Sequence, residues 1–504
     1  MNIRILQLLF IASSALLFTG CKDNDDTRYS EEENNKYVND WIYDNMDVYY
    51  YWRDQMPGYN NTNTKLEPVD YFESILYPYK SSTHEGDRFS WIQNNYSDLL
   101  NALNGISPNE IGFEYIPYYQ QGSTTYVEFY VAYIKKGTKA ESSGLKRGDI
   151  INKVDGVQLT SQNWSAALYQ NKRTYDLEGT NFTGKITVEV TSNYKEDPIY
   201  HEEIYNINGT KTGYIVYNQF VPDNGDGSYK YDIALANIFQ KYESENVTNV
   251  ILDLRYNGGG YVSCAVNLAS ALVPNRKTEN KLFYNKLNSI FDAQAKREWG
   301  AEGYDEFVNG YFKTDVENSR GNAVGAIPGY GNRITKLYIL TGKNTASASE
   351  LIINGLSPYM KEKIVLIGDV TYGKNVGSIS IYKEKDSRNK WGMQPIVMQS
   401  FNVNDESEYA GGFTPGESFN GYLVDEFDEI ETDGLKKLGD PEETLLSIAL
   451  TEIAGNSPRA SLKKSAISIR KSIGASFALK PGAYTMTIDN SKTQQLIKSL
   501  NQVK

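Results

Sequence analysis

Asn344-Thr345-Ala346-Ser347-Ala348-Ser349-Glu350 lies between an apolar run of strand character, Lys336 to Leu340, and a run of helical character, Leu351 to Leu356. Two serines therefore sit where a strand turns into a helix, a position that suits a nucleophile because first-turn amides have no partner inside the helix. A second strand-like run follows, Lys363 to Gly368, and then the turn Thr371-Tyr372-Gly373-Lys374. Strand-helix-strand crossovers are right-handed with parallel strands, so Ser349 and Lys374 are expected on the same edge of a sheet. An earlier unit repeats the pattern: strand-like Asn249 to Leu254, the turn Arg255-Tyr256-Asn257-Gly258-Gly259-Gly260, and an apolar helix from Val262 to Val273. Three strand ends should converge on one site.

With 504 residues, 40% hydrophobic and 13% aromatic, the chain is long enough for two to four domains with their own cores. A net charge of −12 and a pI near 5.0 argue against nucleic acid as a partner, since phosphate contacts need clustered Lys and Arg. The 40 tyrosines read as core and surface aromatics. Only two cysteines occur, Cys21 and Cys264. The second sits in the apolar helix and reads as a small buried hydrophobe.

Residues 1–20 have the form of a lipoprotein signal peptide, with Arg4 ahead of an apolar stretch from Ile5 to Phe18. The closing Phe18-Thr19-Gly20-Cys21 resembles a lipobox, which implies lipidation at Cys21. The acidic Lys22 to Asp26 that follows resembles the surface-export signals of Bacteroides-group lipoproteins. The expected location is the cell envelope, as an outer-membrane lipoprotein facing outward, with the periplasmic face as the alternative. No later run approaches the roughly 18 apolar residues of a membrane span, so contact with membrane is expected through lipid alone.

The tether is expected to cover 21–35. Helical spacing of Tyr37, Val38, Trp41, Ile42, Val48 and Trp52, then of Tyr71 to Leu76, indicates a small helical N-terminal domain over 36–105. Short β-rich segments mark 106–200. There the stretch from Gly137 to Gly156 resembles a PDZ domain, with Ile111-Gly112-Phe113 matching its peptide-carboxylate loop. Residues 205–452 form the strand-helix core. The stretch 277–332 reads as an insertion that overhangs the site, and 453–504 as a polar, basic, loosely held tail.

Serine chemistry needs a proton acceptor, and histidine is the usual one. The two histidines, His84 and His201, lie in polar surroundings outside the converging strand ends. That disfavours a Ser-His-Asp triad and any metal centre built on several His or Cys ligands. Lysine remains. Its pKa must fall from about 10.4 to about 7 to 8, a shift of roughly 4 kcal/mol that burial can supply. The N–H of Glu350, in the first helical turn, and an N–H of the Gly258-Gly259-Gly260 turn are the expected oxyanion donors.

The pieces Ile251 to Gly260, Thr345 to Glu350 and Tyr372-Gly373-Lys374, downstream of a PDZ-like segment, resemble the C-terminal processing (tail-specific) serine peptidases over residues 106–450. The resemblance implies an α/β multidomain chain with a crotonase/Clp-protease-like core, a PDZ-like β-rich domain and a helical N-terminal domain. It also implies a Ser-Lys dyad in which the nucleophile directly precedes the glutamate and the lysine follows 25 residues on. That selects Ser349 with Lys374 over Ser347, which is 27 residues from the lysine. Gly259 and Glu350 would then supply the oxyanion N–H groups. No metal or organic cofactor is implied, and the partner is a protein or peptide substrate. Many members carry glutamine four residues after the lysine, where this chain has Ser378. Ser378 or Asn375 is then the expected orienter, with packing alone as the alternative hold on the lysine. The alternative on the same fold is a catalytically silent peptide-binding surface lipoprotein.

Overall fold

The computed structural model describes residues 29–427, 434–458 and 472–488. At its centre is a six-stranded sheet in the order Ile199–Ile207, Thr210–Tyr217, Asn249–Asp253, Lys336–Thr341, Ile364–Gly368 and Asn420–Leu423. The first pair is antiparallel and every later pair is parallel. Parallel strands need both faces covered. Alternate residues do divide between two cores: Val250, Leu252, Leu337, Ile339 and Leu366 face one, and Ile251, Tyr338, Leu340, Val365 and Ile367 the other. The helices Val262–Leu272 and Ala348–Met360 cover the first face. The helix Thr444–Ile453 and Tyr118, Tyr130 and Tyr133 of the β-rich region cover the second.

The β-rich region is an antiparallel sheet ordered Phe113–Tyr119, Val127–Ile134, Ile150–Val154, Thr174–Gly179 and Ile186–Glu189. Its own core is built on Phe129, Ile151, Leu177 and Trp164. Arg147 ties this sheet to the centre. Its guanidinium meets Glu426 and Glu443 at 3.0 and 3.1 Å, and the same two carboxylates meet the buried Arg255, which also pairs with Asp253 at 2.8 Å. Removing one member of such a buried set leaves the others uncompensated, at about 3–5 kcal/mol. The set therefore holds the start of the glycine turn rigidly to the sheet.

The N-terminal helix starts earlier than the sequence suggested. It covers Glu31–Tyr49, because Ser30 and Glu33 form a reciprocal capping box, so residues assigned to the tether open the helix instead. Shorter helices follow at Pro68–Ser74 and Tyr96–Leu103. The stretch 277–332 is not an overhang. Its strand Lys281–Leu287 pairs with Ile396–Phe401 in a second six-stranded sheet, and its Phe291 packs edge-on against Tyr49 of the first helix.

The larger correction concerns the C-terminal region. Residues 472–488 are not loose: Met486–Thr487 is a strand of that second sheet, set between Gly260–Tyr261 and Val376–Ser378. Their apolar residues enter singly, Ile473 and Leu479 against the β-rich core and Met486 against the central one, which leaves no periodic signature. Residues 459–471 and 489–504 of the expected tail, and Cys21 with the signal segment, lie outside the described residues.

Candidate active site

Three strand ends meet as the spacing predicted. Beyond Asn249–Asp253, the Asn257 carbonyl accepts the Ala346 N–H at 3.1 Å, and the Thr345 carbonyl accepts the Tyr372 N–H at 2.9 Å. The turns carrying the glycines, the serines and Lys374 are thereby laced edge to edge.

Glu350 is the clamp. Its carboxylate accepts the Thr371 hydroxyl and the Gly373 N–H on one oxygen (2.6 and 2.7 Å), and the Lys374 and Ser347 N–H groups on the other (2.8 and 2.9 Å). Burial pushes this carboxyl above its ordinary pKa, and the Thr371 hydroxyl and those N–H groups pull it back. The part expected of Glu350 was a backbone N–H for an oxyanion. Its prominent role is instead to fix the serine turn against the lysine turn through its side chain.

Ser347 and Ser349 face different ways. Ser349, fully buried in the first helical turn, donates its hydroxyl to the Asn257 carbonyl at 3.1 Å. Ser347 precedes the helix at φ +62° and ψ −116°, a conformation costly for a residue with a Cβ and found where the surroundings impose it. Its hydroxyl donates to the Tyr484 carbonyl at 3.0 Å, and Lys374 Nζ donates to that same oxygen at 2.6 Å. The serine that shares an acceptor with the lysine is Ser347, whereas the 25-residue spacing selected Ser349, whose hydroxyl bonds elsewhere.

Lys374 is 2% exposed. Burial, opposed by the Asp87 and Glu350 carboxylates and assisted by Arg88, takes its amine down to about 7. Asp87, Arg88 and Phe89 come from the N-terminal domain, and nothing in their pattern announced them. Lys374 Nζ lies 4.8 Å from the Phe89 ring centre. The Arg88 guanidinium stacks on Tyr372 at 4.6 Å and donates to the carbonyls of Tyr372 and Gly373 at 3.1 and 2.9 Å.

Neither expected orienter touches the amine. Ser378 donates to the Met486 carbonyl at 3.1 Å, and the Asn375 amide donates to the Ser407 carbonyl at 2.7 Å, because the strand Val376–Ser378 carries its side chains into its own sheet. The Gly259 N–H is held by Asn257 Oδ1 at 2.9 Å, while the Gly260 N–H reaches the Thr485 carbonyl at 2.5 Å. Gly259 cannot be other than glycine here: at φ +107° a Cβ would come within 2.5 Å of Ser347 Cβ and 2.4 Å of the Thr485 oxygen.

In the β-rich region, Ile111 and Phe113 are buried. The Gly112 N–H is taken by Glu110 Oε1 at 3.1 Å, so this loop offers no open carboxylate nest. His84 contacts Tyr79 and His201 contacts Glu203. Among the described residues no three His, Cys, Asp or Glu side chains gather to hold a metal ion.

Residues 211–404 match the family model described as peptidase family S41, and residues 37–91 match that of the peptidase S41 N-terminal domain. A "Probable CtpA-like serine protease" of Staphylococcus aureus (strain N315) is 28% identical over 247 residues, which is 48% of this chain and 40% of the relative. Its counterpart in Staphylococcus haemolyticus (strain JCSC1435) is 26% identical over 246 residues, with the same coverage. The chain thus spans about two-fifths of the length of these curated relatives. A crystal structure from Bacteroides fragilis NCTC 9343, assigned to the S41 proteases, superposes with a TM-score of 0.63 at 26% identity, over 82% of this chain and 97% of that one.

Proposed function

The chain belongs to peptidase family S41, and from that premise we propose that it is a serine endopeptidase with Ser347 as nucleophile and Lys374 as general base and acid. The observation that carries the reading is the meeting of the Ser347 hydroxyl and the Lys374 amine, both buried, on one peptide carbonyl oxygen.

In this mechanism the neutral Lys374 amine takes the Ser347 proton as the oxygen attacks the carbonyl carbon of the scissile bond. Negative charge passes to the carbonyl oxygen. The ammonium then gives its proton to the departing amine, the C–N bond breaks and an acyl-serine remains. Water, deprotonated by the same lysine, attacks the ester and restores the serine. An amine can do this near neutral pH because desolvation disfavours its charged form. The nucleophile's next amide, Ala348 N–H, stands in the first helical turn without an intrahelical acceptor and would serve the oxyanion, whereas the Gly259 N–H is already held by Asn257 Oδ1. Loss of one such donor typically costs about 10² to 10³ in rate.

The parallel strand order supports a crotonase/Clp-protease-like core. The antiparallel sheet that follows the Ile111-Gly112-Phe113 loop supports a PDZ-like domain that engages extended peptide. Lipid attachment at Cys21, with placement at the outer membrane, completes the proposal. Labelled palmitate incorporation that is lost in Cys21→Ser tests that part. For the chemistry, turnover of a quenched peptide library should vanish in Ser347→Ala and in Lys374→Ala. Undiminished turnover in Ser347→Ala would remove the assignment.

A further inference from the structure

Residues 472–488 follow one extended path across two parts of the molecule. At its start the Ile473 and Ser476 N–H groups donate to the carbonyls of Pro117 and Tyr115 at 2.9 and 3.0 Å, and the Tyr115 N–H donates to the Ser476 hydroxyl at 2.8 Å. Residue numbers rise along one chain as they fall along the other. The segment is therefore an antiparallel addition to the edge strand Phe113–Tyr119, which directly follows the Ile111-Gly112-Phe113 loop. Gly474 lies under Trp164, so close that a Cβ would come within 2.7 Å of the indole.

Farther along, Lys480 pairs with the buried carboxylates of Glu110 and Glu114, and Ser476 donates to Glu114 at 2.5 Å. Tyr484 lies flat on Tyr372, ring centres 3.9 Å apart and planes 17° apart, and donates its hydroxyl to Asn344 at 2.9 Å. Its carbonyl is the oxygen that meets Ser347 and Lys374. The Thr485 carbonyl takes the Gly260 N–H, and Met486–Thr487 then completes the second sheet.

We infer that this track, from the Phe113–Tyr119 edge to the Ser347–Lys374 cleft, is a peptide-binding site of defined chemistry, and that residues 472–488 are its resident competitor. The occupant is an extended segment with a small residue under Trp164, a lysine at Glu110 and Glu114, and an aromatic ring four residues later over Tyr372. Ladder hydrogen bonds to a sheet edge give affinity without regard to sequence, and the side-chain positions give specificity. A peptide of that class must displace the segment, which competes as part of the same chain and so without a bimolecular cost. The binding claim stands on geometry alone. Its consequence for turnover rests on the peptidase reading proposed above.

The test uses the full chain and a fluorescein-labelled peptide of the sequence 472–488, read by anisotropy, with the unaltered chain, Lys480→Glu and, separately, Tyr484→Ala. Lys480 is partly exposed, and Lys135 remains beside Glu110 and Glu114 when its charge is reversed. The peptide should bind each variant at least tenfold more tightly than the unaltered chain, and a peptide with glutamate at the lysine position should lose that gain. Equal affinity for all three chains, or binding by none, would overturn the inference. Turnover of a quenched substrate, measured alongside, should rise several-fold in both variants. If the affinities follow expectation while no chain hydrolyses substrate, the peptidase reading fails and the binding track stands.

Discussion

Ser347 and Lys374 share one acceptor: the hydroxyl and the amine lie 3.0 and 2.6 Å from the carbonyl oxygen of Tyr484. The two residues end different turns of the sheet edge, and the Glu350 carboxylate binds the main-chain N–H of both. The proposed dyad is therefore only as good as that clamp, and the site already holds a peptide carbonyl between its two groups.

Glu350→Gln tests the clamp. The carboxylate accepts four donors, and an amide would turn its own NH₂ toward some of them, leaving buried donors unpaired at about 1–3 kcal/mol each. Denaturant unfolding should show a loss of about 2–4 kcal/mol, and peptide turnover should fall at least a hundredfold. Unchanged stability would mean that Glu350 does not hold the turns together.

The lysine sets a pH dependence. With the amine at about 7, the neutral base is lost as pH falls through 7, so kcat/KM should rise between pH 6 and 8 with a midpoint near 7. The stability consequence has the opposite origin to a salt bridge. The folded pKa lies below the unfolded value, so the unfolded state binds more protons between about pH 7 and 10.5, and stability rises with pH across that window. At neutral pH the burden is on the order of 4 kcal/mol. Lys374→Met should thus raise the melting temperature at pH 7 while abolishing turnover. Destabilisation by that variant would argue against a depressed amine.

Arg88 reaches the site from the N-terminal domain, and its charge helps lower the lysine. Arg88→Ala should move the acidic limb of the pH profile upward, with a smaller effect on the plateau than Lys374→Ala. A pure loss of plateau rate with no pH shift would reduce Arg88 to a brace for the Tyr372 and Gly373 carbonyls.

Gly259→Ala should cost at least a hundredfold in turnover. The added methyl would meet Ser347 and the peptide carbonyl beyond it, both well inside van der Waals contact. Comparison with Gly122→Ala, where nothing lies within 4 Å and φ is also positive, separates crowding from backbone strain. Equal effects would point to strain alone.

Much of the arrangement was legible in the sequence because it rests on period and punctuation. Apolar runs at Asn249, Lys336 and Lys363, each followed by a glycine- or serine-bearing turn, gave the parallel strands and the shared edge that carries the site. The choice between serines was not settled by counting residues to Lys374, which selected Ser349, whereas the hydroxyl that shares an acceptor with the lysine is that of Ser347. A local signal was present: Ser347-Ala348-Ser349-Glu350 has the spacing of a capping box, which marks Ser347 as the residue just outside the helix. Arg88 and Phe89 had no such mark, since they act at a distance of nearly three hundred residues in the chain. Residues 472–488 read as a loose tail because strand addition uses main-chain groups, and these leave no periodic pattern in the side chains.

The most direct measurement is to label the Lys480→Glu chain with a fluorophosphonate at pH 8 and locate the adduct by tandem mass spectrometry. The account predicts one adduct, on Ser347, absent in the additional variant Lys374→Met and retained when Ser349 is alanine. An adduct on Ser349, or labelling that persists without Lys374, would contradict it.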